Sequence, residues 1–262
     1  MSKSQKRCVF CGGTPATKSH IWPDWLDSLP LDKATHHEVH VGKLETFVSA
    51  AEGPSPQTQV RQGRAGARKP RNVCLACNGG WMSRIEQLTK PTLSALILGS
   101  PILLRPADQW WLASLITLIT IRMEFTAPQM QAVPVADRQT LMVTGAAPLH
   151  SWKIWIAQFA DPQSDDFWTG HLGMQLVSSP AEVFRPHKCN AQVTTMVIGK
   201  FIAHVASSSV MSIPDGYSGI GLAKIWPTGQ FDISSTSLPT LNRVEAIHLH
   251  ESWAASLKPV PR

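Results

Sequence analysis

The stretch "VCLACNGGWMSRIE", from Val73 to Glu86, begins with a C-x-x-C pair and continues into an asparagine, two glycines and a helical pattern. A matching pair, "CVFC", lies near the start of the chain. Four thiolates arranged as two such pairs form the ligand set of a tetrahedral structural zinc site, whereas a redox dithiol needs only one pair. Disulfides are disfavoured in a reducing compartment. The sequence therefore predicts a zinc site with four ligands: Cys8, Cys11, Cys74 and Cys77.

The composition is that of an ordinary folded protein. The chain has 262 residues, of which 43% are hydrophobic, enough for one large core or two smaller ones. Its longest apolar run, Trp110–Ile121, is shorter than the roughly 20 residues that span a membrane. The basic N-terminus has no apolar stretch behind it, so we expect no secretory signal and a cytoplasmic location. The fifth cysteine, Cys189, is expected to be a buried apolar residue or an inert thiol.

Positive charge is concentrated in the first third of the chain. The net charge is +6; residues 1–90 contain 13 Lys and Arg against 7 Asp and Glu, while residues 91–262 contain 11 of each class. Residues 51–72 are rich in glycine, proline and arginine and are expected to form a flexible basic loop. Its positively charged side chains favour contacts with nucleic-acid phosphates, and we expect little recognition of the base sequence. They are Arg61, Arg64, Arg68, Lys69 and Arg71.

The remaining pattern predicts an α+β fold. Alternation around Val41–Lys43 favours a β-hairpin, and the residues after Cys77 suit a helix interrupted near Pro91, followed by a buried helix over residues 107–125. Later runs rich in β-branched and aromatic residues predict a mostly antiparallel sheet packed on the helices. They are "SWKIWIAQF", "FWTGHLGMQLV", "AQVTTMVIGKFIAHVA" and "GLAKIWP", and "IHLHES" near the C-terminus also suits a strand.

We expect this pattern to divide into two domains. Residues 1–95 carry both cysteine pairs and the basic loop, and residues 96–262 carry the buried helix and the sheet. The second domain has no assigned role in the sequence, and a homo-oligomer formed through it is one option.

Between and behind the cysteine pairs, "SHIWP" covers Ser19–Pro23 and "CLACNGGW" covers Cys74–Trp81. In this order the motifs resemble the zinc-stabilised HNH, or His-Me finger, endonucleases, whose fold is a zinc-bound ββα-metal module. They also resemble the phage-resolvase branch, in which a metal-binding asparagine directly follows the last zinc cysteine. The resemblance covers about the first 90 residues and, by analogy, implies a bacterial or phage protein linked to mobile elements or antiviral defence.

The resemblance implies hydrolysis of phosphodiester bonds, with DNA as the partner. His20 is then the general base that deprotonates water. Asn78, at the start of the facing helix, is the residue that binds Mg²⁺ or another divalent cation. The zinc takes no part in the chemistry and holds the hairpin against the helix.

Ser19 departs from the family pattern, because an acidic metal ligand normally precedes the histidine. A serine hydroxyl and an amide together hold a hard cation weakly. Asp24 lies four residues after His20, and it is a better replacement than Glu86, which lies about 12 Å along the helix from Asn78. The expected ligands of the divalent ion are therefore Ser19, Asn78 and Asp24.

Two other functions fit the same residues. A catalytically silent HNH fold would bind nucleic acid without cutting it, which the serine at position 19 favours. A zinc-stapled interaction protein would use the cysteines only to hold a small lobe together. Taken singly, His20 is typical of a packed or surface histidine and Asn78 of a helix cap. Their joint position around two cysteine pairs favours the nuclease.

Overall fold

The structure, a computed structural model, describes residues 6–31, 36–42, 56–62, 69–126, 128–161, 167–176, 189–213 and 221–256. The helices are α1 (Leu75–Cys77), α2 (Ser83–Leu98), α3 (Pro106–Glu124), α4 (Val135–Thr144) and α5 (Arg243–Ser256), with a π-helical turn at Asn78–Met82. Short 3-10 helices cover Asp24–Ser28, Pro128–Met130 and Ser235–Ser237.

The strands, numbered along the chain, have two to eight residues each. They are β1 (Ala16–Lys18), β2 (His36–Gly42), β3 (Pro56–Gln62), β4 (Arg71–Cys74), β5 (Leu103–Leu104), β6 (Trp152–Phe159), β7 (Phe167–Met174), β8 (Ala191–Ile198), β9 (Phe201–Ser208), β10 (Ala223–Trp226), β11 (Ile233–Ser234) and β12 (Thr240–Leu241).

Two short strands and a helix surround the second cysteine pair. β1 pairs antiparallel with β4, so that Ala16 lies opposite Cys74. The chain then enters α1, where the thiol of Cys74 caps the helix by accepting a hydrogen bond from the backbone N–H of Cys77. The π-helical turn joins α1 to α2. This order places Ser19, which follows β1, beside the start of the helix that carries Asn78.

One of the two central helices is continuous where the sequence pattern predicts a break, and the other has the predicted extent. α2 was expected to be interrupted near Pro91, and this prediction is wrong: the helix passes through Pro91 and ends at Gly99 in the left-handed conformation (φ 69°). The buried helix predicted over residues 107–125 is confirmed as α3. Every residue from Leu112 to Glu124 is buried, which places the charged side chains at its C-terminal end inside the protein.

In the described part of the chain, eight strands form the main sheet. Its order is β10-β6-β9-β8-β7-β2-β3, and β12 lies beside β6. Most pairs are antiparallel; β2–β7 and β12–β6 are parallel. The predicted α+β class and mostly antiparallel sheet are confirmed, because the β-branched and aromatic runs of residues 151–227 supply β6 to β10.

Two expectations for local structure need correction, and part of a third lies outside the described residues. The first arm of the hairpin predicted around Val41–Lys43 is the strand β2, which pairs antiparallel with β3, and the expected second arm lies in residues 43–50, outside the described residues. The basic loop of residues 51–72 contains the strand β3 and the start of β4. "IHLHES" lies in the helix α5. In each case tertiary pairing or packing overrides the local pattern.

One hydrophobic cluster joins the cysteine region to the central helices and to one face of the sheet. It contains Cys8, Phe10, Ile21, Leu112 and Ile154, with many other buried residues. A second cluster, around Trp155, Trp168 and Leu249, covers the other face under α5. The expected boundary between residues 95 and 96 stays a prediction, while the apolar contacts cross it.

Candidate active site beside a four-cysteine cluster

Four cysteine sulfurs come together where β1, β4 and α1 meet. The Sγ atoms of Cys8, Cys11, Cys74 and Cys77 all lie within 4.8 Å of one another. The Sγ atoms of Cys11 and Cys74 are 3.6 Å apart. A zinc ion with Zn–S bonds of about 2.3 Å separates its sulfurs by about 3.8 Å. The cluster therefore fits a tetrahedral metal ion such as zinc, as the spacing predicts, and none of the five cysteines forms a disulfide.

The cluster contains thiols of different acidity. Burial raises the pKa of the Cys77 thiol. Burial acts in the same direction on Cys8, but hydrogen bonds from the backbone of Cys11, Cys74 and Phe10 outweigh it and lower the Cys8 pKa to about 7. A thiolate is the form that binds a metal. Cys8 is thus prepared as an anionic ligand, while Cys77 must release its proton when the ion binds.

Ser19 and Asn78 meet directly beside this cluster. The Ser19 hydroxyl donates to the Asn78 Oδ1 atom at 2.5 Å, and the Ser19 N–H donates to the Pro70 carbonyl at 3.2 Å. The strand pairing explains the contact, because Ser19 is one residue beyond β1 and Asn78 is one residue beyond Cys77. Two residues that the sequence places 59 apart therefore share one hydrogen bond.

Arg122 reaches the same hydroxyl from the C-terminal end of α3. Its Nη2 atom donates to the Ser19 Oγ atom at 2.8 Å, and its side chain is 1% exposed. Arginine only donates hydrogen bonds. The Ser19 oxygen therefore accepts from Arg122, and the Ser19 hydroxyl donates to Asn78. The resulting chain engages the Asn78 oxygen as an acceptor, and the two remaining donors of this half-buried side chain are on its amide nitrogen.

Glu86 is the acidic partner of this guanidinium. Its Oε1 atom lies 4.0 Å from the Nη1 atom of Arg122. Burial raises the pKa of Glu86, and Arg122 opposes that effect. Burial also lowers the pKa of Arg122 to about 10, against the attraction of Glu86 and Asp24. The arginine therefore stays charged at neutral pH, and the site has a permanent buried cation.

His20 forms the outer part of the site with Asp24. The Nδ1 atom of His20 lies 2.6 Å from the Oδ1 atom of Asp24, and the two side chains are 20% and 73% exposed. The 3-10 helix Asp24–Ser28 supplies the carboxylate one turn after the histidine. A carboxylate at Nδ1 holds the proton there and makes Nε2 the unprotonated nitrogen of neutral imidazole. Asp24 therefore orients a potential base.

The Ser19–Asn78 pair does not fit the catalytic divalent ion expected there. Its two oxygens are hydrogen-bonded to each other, and a guanidinium lies 2.8 Å from one of them. At an effective dielectric constant near 20, a divalent ion about 4 Å from one positive charge is repelled by about 8 kcal/mol, before Glu86 offsets part of it. Asp24, the third expected ligand of that ion, has its carboxylate 2.6 Å from the Nδ1 atom of His20 instead.

Two of the five predicted phosphate-binding cations are described with their side chains. Lys69 and Arg71 are exposed next to the site. For Arg61, in β3, only the backbone is described, and Arg64 and Arg68 lie outside the described residues. Arg122 was missed as a site residue. The signal was present in the sequence, because it is a charged residue at the end of an otherwise apolar run, but nothing indicated its partner.

Comparison of the chain with protein-family models, with curated proteins and with solved structures finds no match. Among the described residues, no helix has the length and apolar character needed to cross a membrane.

Proposed function

We propose that the protein is a nuclease of the HNH type that hydrolyses phosphodiester bonds in DNA. One observation carries the proposal: the His20–Asp24 pair and the Ser19–Asn78 pair lie side by side on a two-stranded and helical unit held by four cysteines. A base next to a polar group that can bind a phosphate oxygen is the minimum for this reaction.

His20 acts as the general base in this proposal. Asp24 keeps the proton on Nδ1, so the Nε2 atom takes a proton from water as the water oxygen attacks phosphorus. The bond from phosphorus to the 3′ oxygen breaks, and that oxygen is protonated by solvent. Asn78 donates from its amide nitrogen to a phosphate oxygen, where negative charge grows in the transition state.

Ser19 and Arg122 act as positioning residues. Both are buried, so they reach the substrate only through Asn78. The hydrogen-bond chain from Arg122 through Ser19 holds the amide oxygen of Asn78, and in this proposal the amide nitrogen is the group that contacts the phosphate. The buried positive charge strengthens that donor and adds an attractive field for phosphate. The divalent cation expected from the sequence stays a prediction to be tested.

A second function, nucleic-acid binding without cleavage, is favoured by the same arginine. Where the resemblance leads one to expect a carboxylate and a metal ion, this chain has Ser19 and a guanidinium. The concentration of positive charge in residues 1–90 supports binding in either case.

Nicking of supercoiled plasmid distinguishes the two functions. We expect the zinc-loaded protein to nick DNA and His20→Ala to lower the rate at least about 100-fold. His150→Ala, a change at an exposed histidine outside the site, is the matched control. Activity that survives in His20→Ala overturns the proposed base, and no activity in either protein, with DNA binding retained, supports the silent binder.

The same assay tests the divalent ion. Rates are compared in Mg²⁺, Mn²⁺ and Ni²⁺ and after removal of free divalent ions, with zinc content measured in each sample. Cleavage without added divalent ion supports the metal-free geometry. A strict requirement, at constant zinc content, would show that the Ser19–Asn78 pair rearranges to bind the ion.

A further inference from the structure

A basic cavity is lined partly by the first residues of β4 and lies next to the proposed site. Its volume is about 600 Å³, within the usual range for small-ligand sites. The walls come from the N-terminal segment, β4 and the residues after α3. They include Lys6, Arg7, Lys69, Arg71, Asn72 and Phe125.

The polar lining carries only positive charge. Four of the described lining residues are Lys or Arg, and none of them is Asp or Glu. Cations on facing walls of one concave site attract an anion more strongly than the same charges on a convex surface. Lysine and arginine together suit phosphate, which accepts hydrogen bonds at several oxygens.

Asn72 points to a ligand independently of the charge. Its side chain is 4% exposed, and within the described part of the chain neither its Oδ1 nor its Nδ2 atom has a hydrogen-bond partner. Nearly all buried amides are hydrogen-bonded in folded proteins. An amide offers one acceptor and two donors, which matches the edge of a nucleobase.

Part of the remaining wall is apolar and held in place. Phe125 and Pro128 line the cavity, and such surface suits a base or a sugar. Arg138 fixes this wall, since its guanidinium lies 5.2 Å from the centre of the Phe125 ring and donates to the Val9 carbonyl at 3.3 Å. The wall is therefore built before a ligand arrives.

We propose that this cavity binds one nucleotide unit, with its phosphate on Lys69 and Arg71 and its base or sugar against Asn72 and Phe125. The unit belongs either to a strand that continues to His20 or to a free nucleotide. The first option, a nucleic-acid strand that continues to His20, rests on the proposed function. It is supported by the backbone hydrogen bond from Ser19 to Pro70, a residue that lines the cavity.

Binding is measured with the full zinc-loaded chain carrying His20→Ala, so that cleavage does not interfere. The probes are a fluorescent single-stranded oligonucleotide and adenosine 5′-monophosphate. We expect Arg71→Gln to weaken oligonucleotide binding and to reduce the slope of log K against log salt by about 0.7, which corresponds to one phosphate contact. Lys200→Gln, a change in the β8–β9 turn, is the control with the same loss of charge.

Asn72→Leu tests the amide, because leucine is close to asparagine in size. If the amide serves a ligand, this variant weakens binding about tenfold or more and keeps the melting temperature of the parent protein. Equal binding to the parent, or a loss no larger in Arg71→Gln than in Lys200→Gln, overturns the proposal. A fall in melting temperature with unchanged binding gives Asn72 a structural role and also overturns it.

The two probes separate the sources. Saturable binding of the mononucleotide that Asn72→Leu abolishes identifies a free-nucleotide site, whereas binding of the oligonucleotide alone identifies a strand subsite. Because binding is measured without cleavage, an inactive protein that still shows these variant effects would refute the nuclease and keep the cavity. An active nuclease whose binding is unchanged in these variants would support the nuclease and refute the nucleotide-binding cavity.

Discussion

At the scale of single residues, Arg122 decides what Asn78 can do. In the metal-binding arrangement that the resemblance implies, the asparagine oxygen faces outward toward a cation. Here that oxygen accepts from Ser19, and the serine accepts from the buried guanidinium. Because that oxygen is already engaged, the groups that Asn78 can offer to a ligand are its two N–H donors. In the proposed function these donors contact a phosphate oxygen, and Arg122 is the residue that sets this role.

Asn78→Asp distinguishes these two roles. A carboxylate would repel a phosphate, so we expect plasmid nicking to fall about 100-fold, the usual effect of losing one oxyanion donor. In a metal-dependent site the same change would strengthen ion binding and maintain or raise the rate. Rates in Mn²⁺ and in its absence, compared with the parent, provide the measurement. Gain of activity in Mn²⁺ would contradict the donor role.

Arg122→Met should destabilise the protein by about 3 kcal/mol, because it leaves Glu86 without its buried partner. Glu86→Gln in the same chain should recover part of this loss, since the amide is neutral. Urea unfolding of the four proteins gives the coupling between the two residues. Arg84→Met, an exposed change on the same helix as Glu86, should cost less than about 0.5 kcal/mol. If the effects of Arg122→Met and Glu86→Gln on the free energy of unfolding are additive, Arg122 and Glu86 do not interact.

The residues of the candidate site differ in how far the sequence predicts them. Short motifs contain the cysteines, His20 and Asn78, so the spacing within these motifs is enough to predict them as site residues. Arg122 lies 103 residues from Ser19, and no local pattern links the two. Its position depends on the packing of α3 against the cysteine region, which is a property of the folded chain.

At the scale of elements, the sheet strands and α3 follow from their patterns, whereas β3 and α5 do not. β3 has the polar sequence "PQTQVRQ", in which no hydrophobic alternation indicates a strand, and its strand conformation is defined by the pairing with β2. In α5, alternating histidines suggest a strand, but the helix packs Ala246 and Leu249 against the sheet. Proline at position 91 is tolerated inside α2 although it removes a backbone donor.

Substitutions at two glycines of β7 show how closely other elements approach the main sheet. A Cβ atom at Gly173 would lie 2.2 Å from the Met130 carbonyl oxygen, whereas one at Gly170 would meet the ring of His250 at 2.7 Å. Backbone cannot move as cheaply as a side chain. We expect Gly173→Ala to cost about 3 kcal/mol and Gly170→Ala distinctly less, both by urea unfolding. Equal costs would mean that the Met130 segment is free to move.

His171 makes the sheet sensitive to mild acid. Burial lowers its pKa to about 4, against a smaller raising effect from the backbone of Met130. The unfolded chain, with a pKa near 6.5, then binds more protons below that pH, so stability falls from about pH 6.5 toward pH 4. The histidine accounts for about 3 kcal/mol of the loss.

His171→Gln should flatten this part of the stability curve. Urea unfolding between pH 7 and pH 4 measures the difference between variant and parent, which removes the contribution of the cysteines and of other groups. Among these, Glu124 acts in the opposite direction, because burial raises its pKa to about 8 and its protonation stabilises the fold as pH falls. Parallel curves for the two proteins would show that His171 does not titrate in this range.

At the scale of the whole molecule, the cysteine cluster and the sheet share one apolar core. Cys74 and Cys77 belong to the same cluster of buried side chains as Leu115 in α3 and Ile154 in β6. A metal ion bound to the four cysteines would hold β1, β4 and α1 together and would therefore support packing far beyond the first 95 residues. Stability should be coupled across the boundary expected from the sequence.

Removal of zinc tests this coupling. Without the ion, the four thiols lose the bonds that hold two distant chain segments together, and burial of uncharged thiols alone does not replace them. We expect chelation, or Cys74→Ser, to lower the melting temperature of the entire protein, with one calorimetric transition before and after. Cys189→Ser, at a buried cysteine outside the cluster, should leave zinc content and its dependence on chelator unchanged. If instead chelation melts only part of the chain and the sheet unfolds at its original temperature in a second transition, the shared core does not couple the two parts, and residues 1–95 behave as a separate domain.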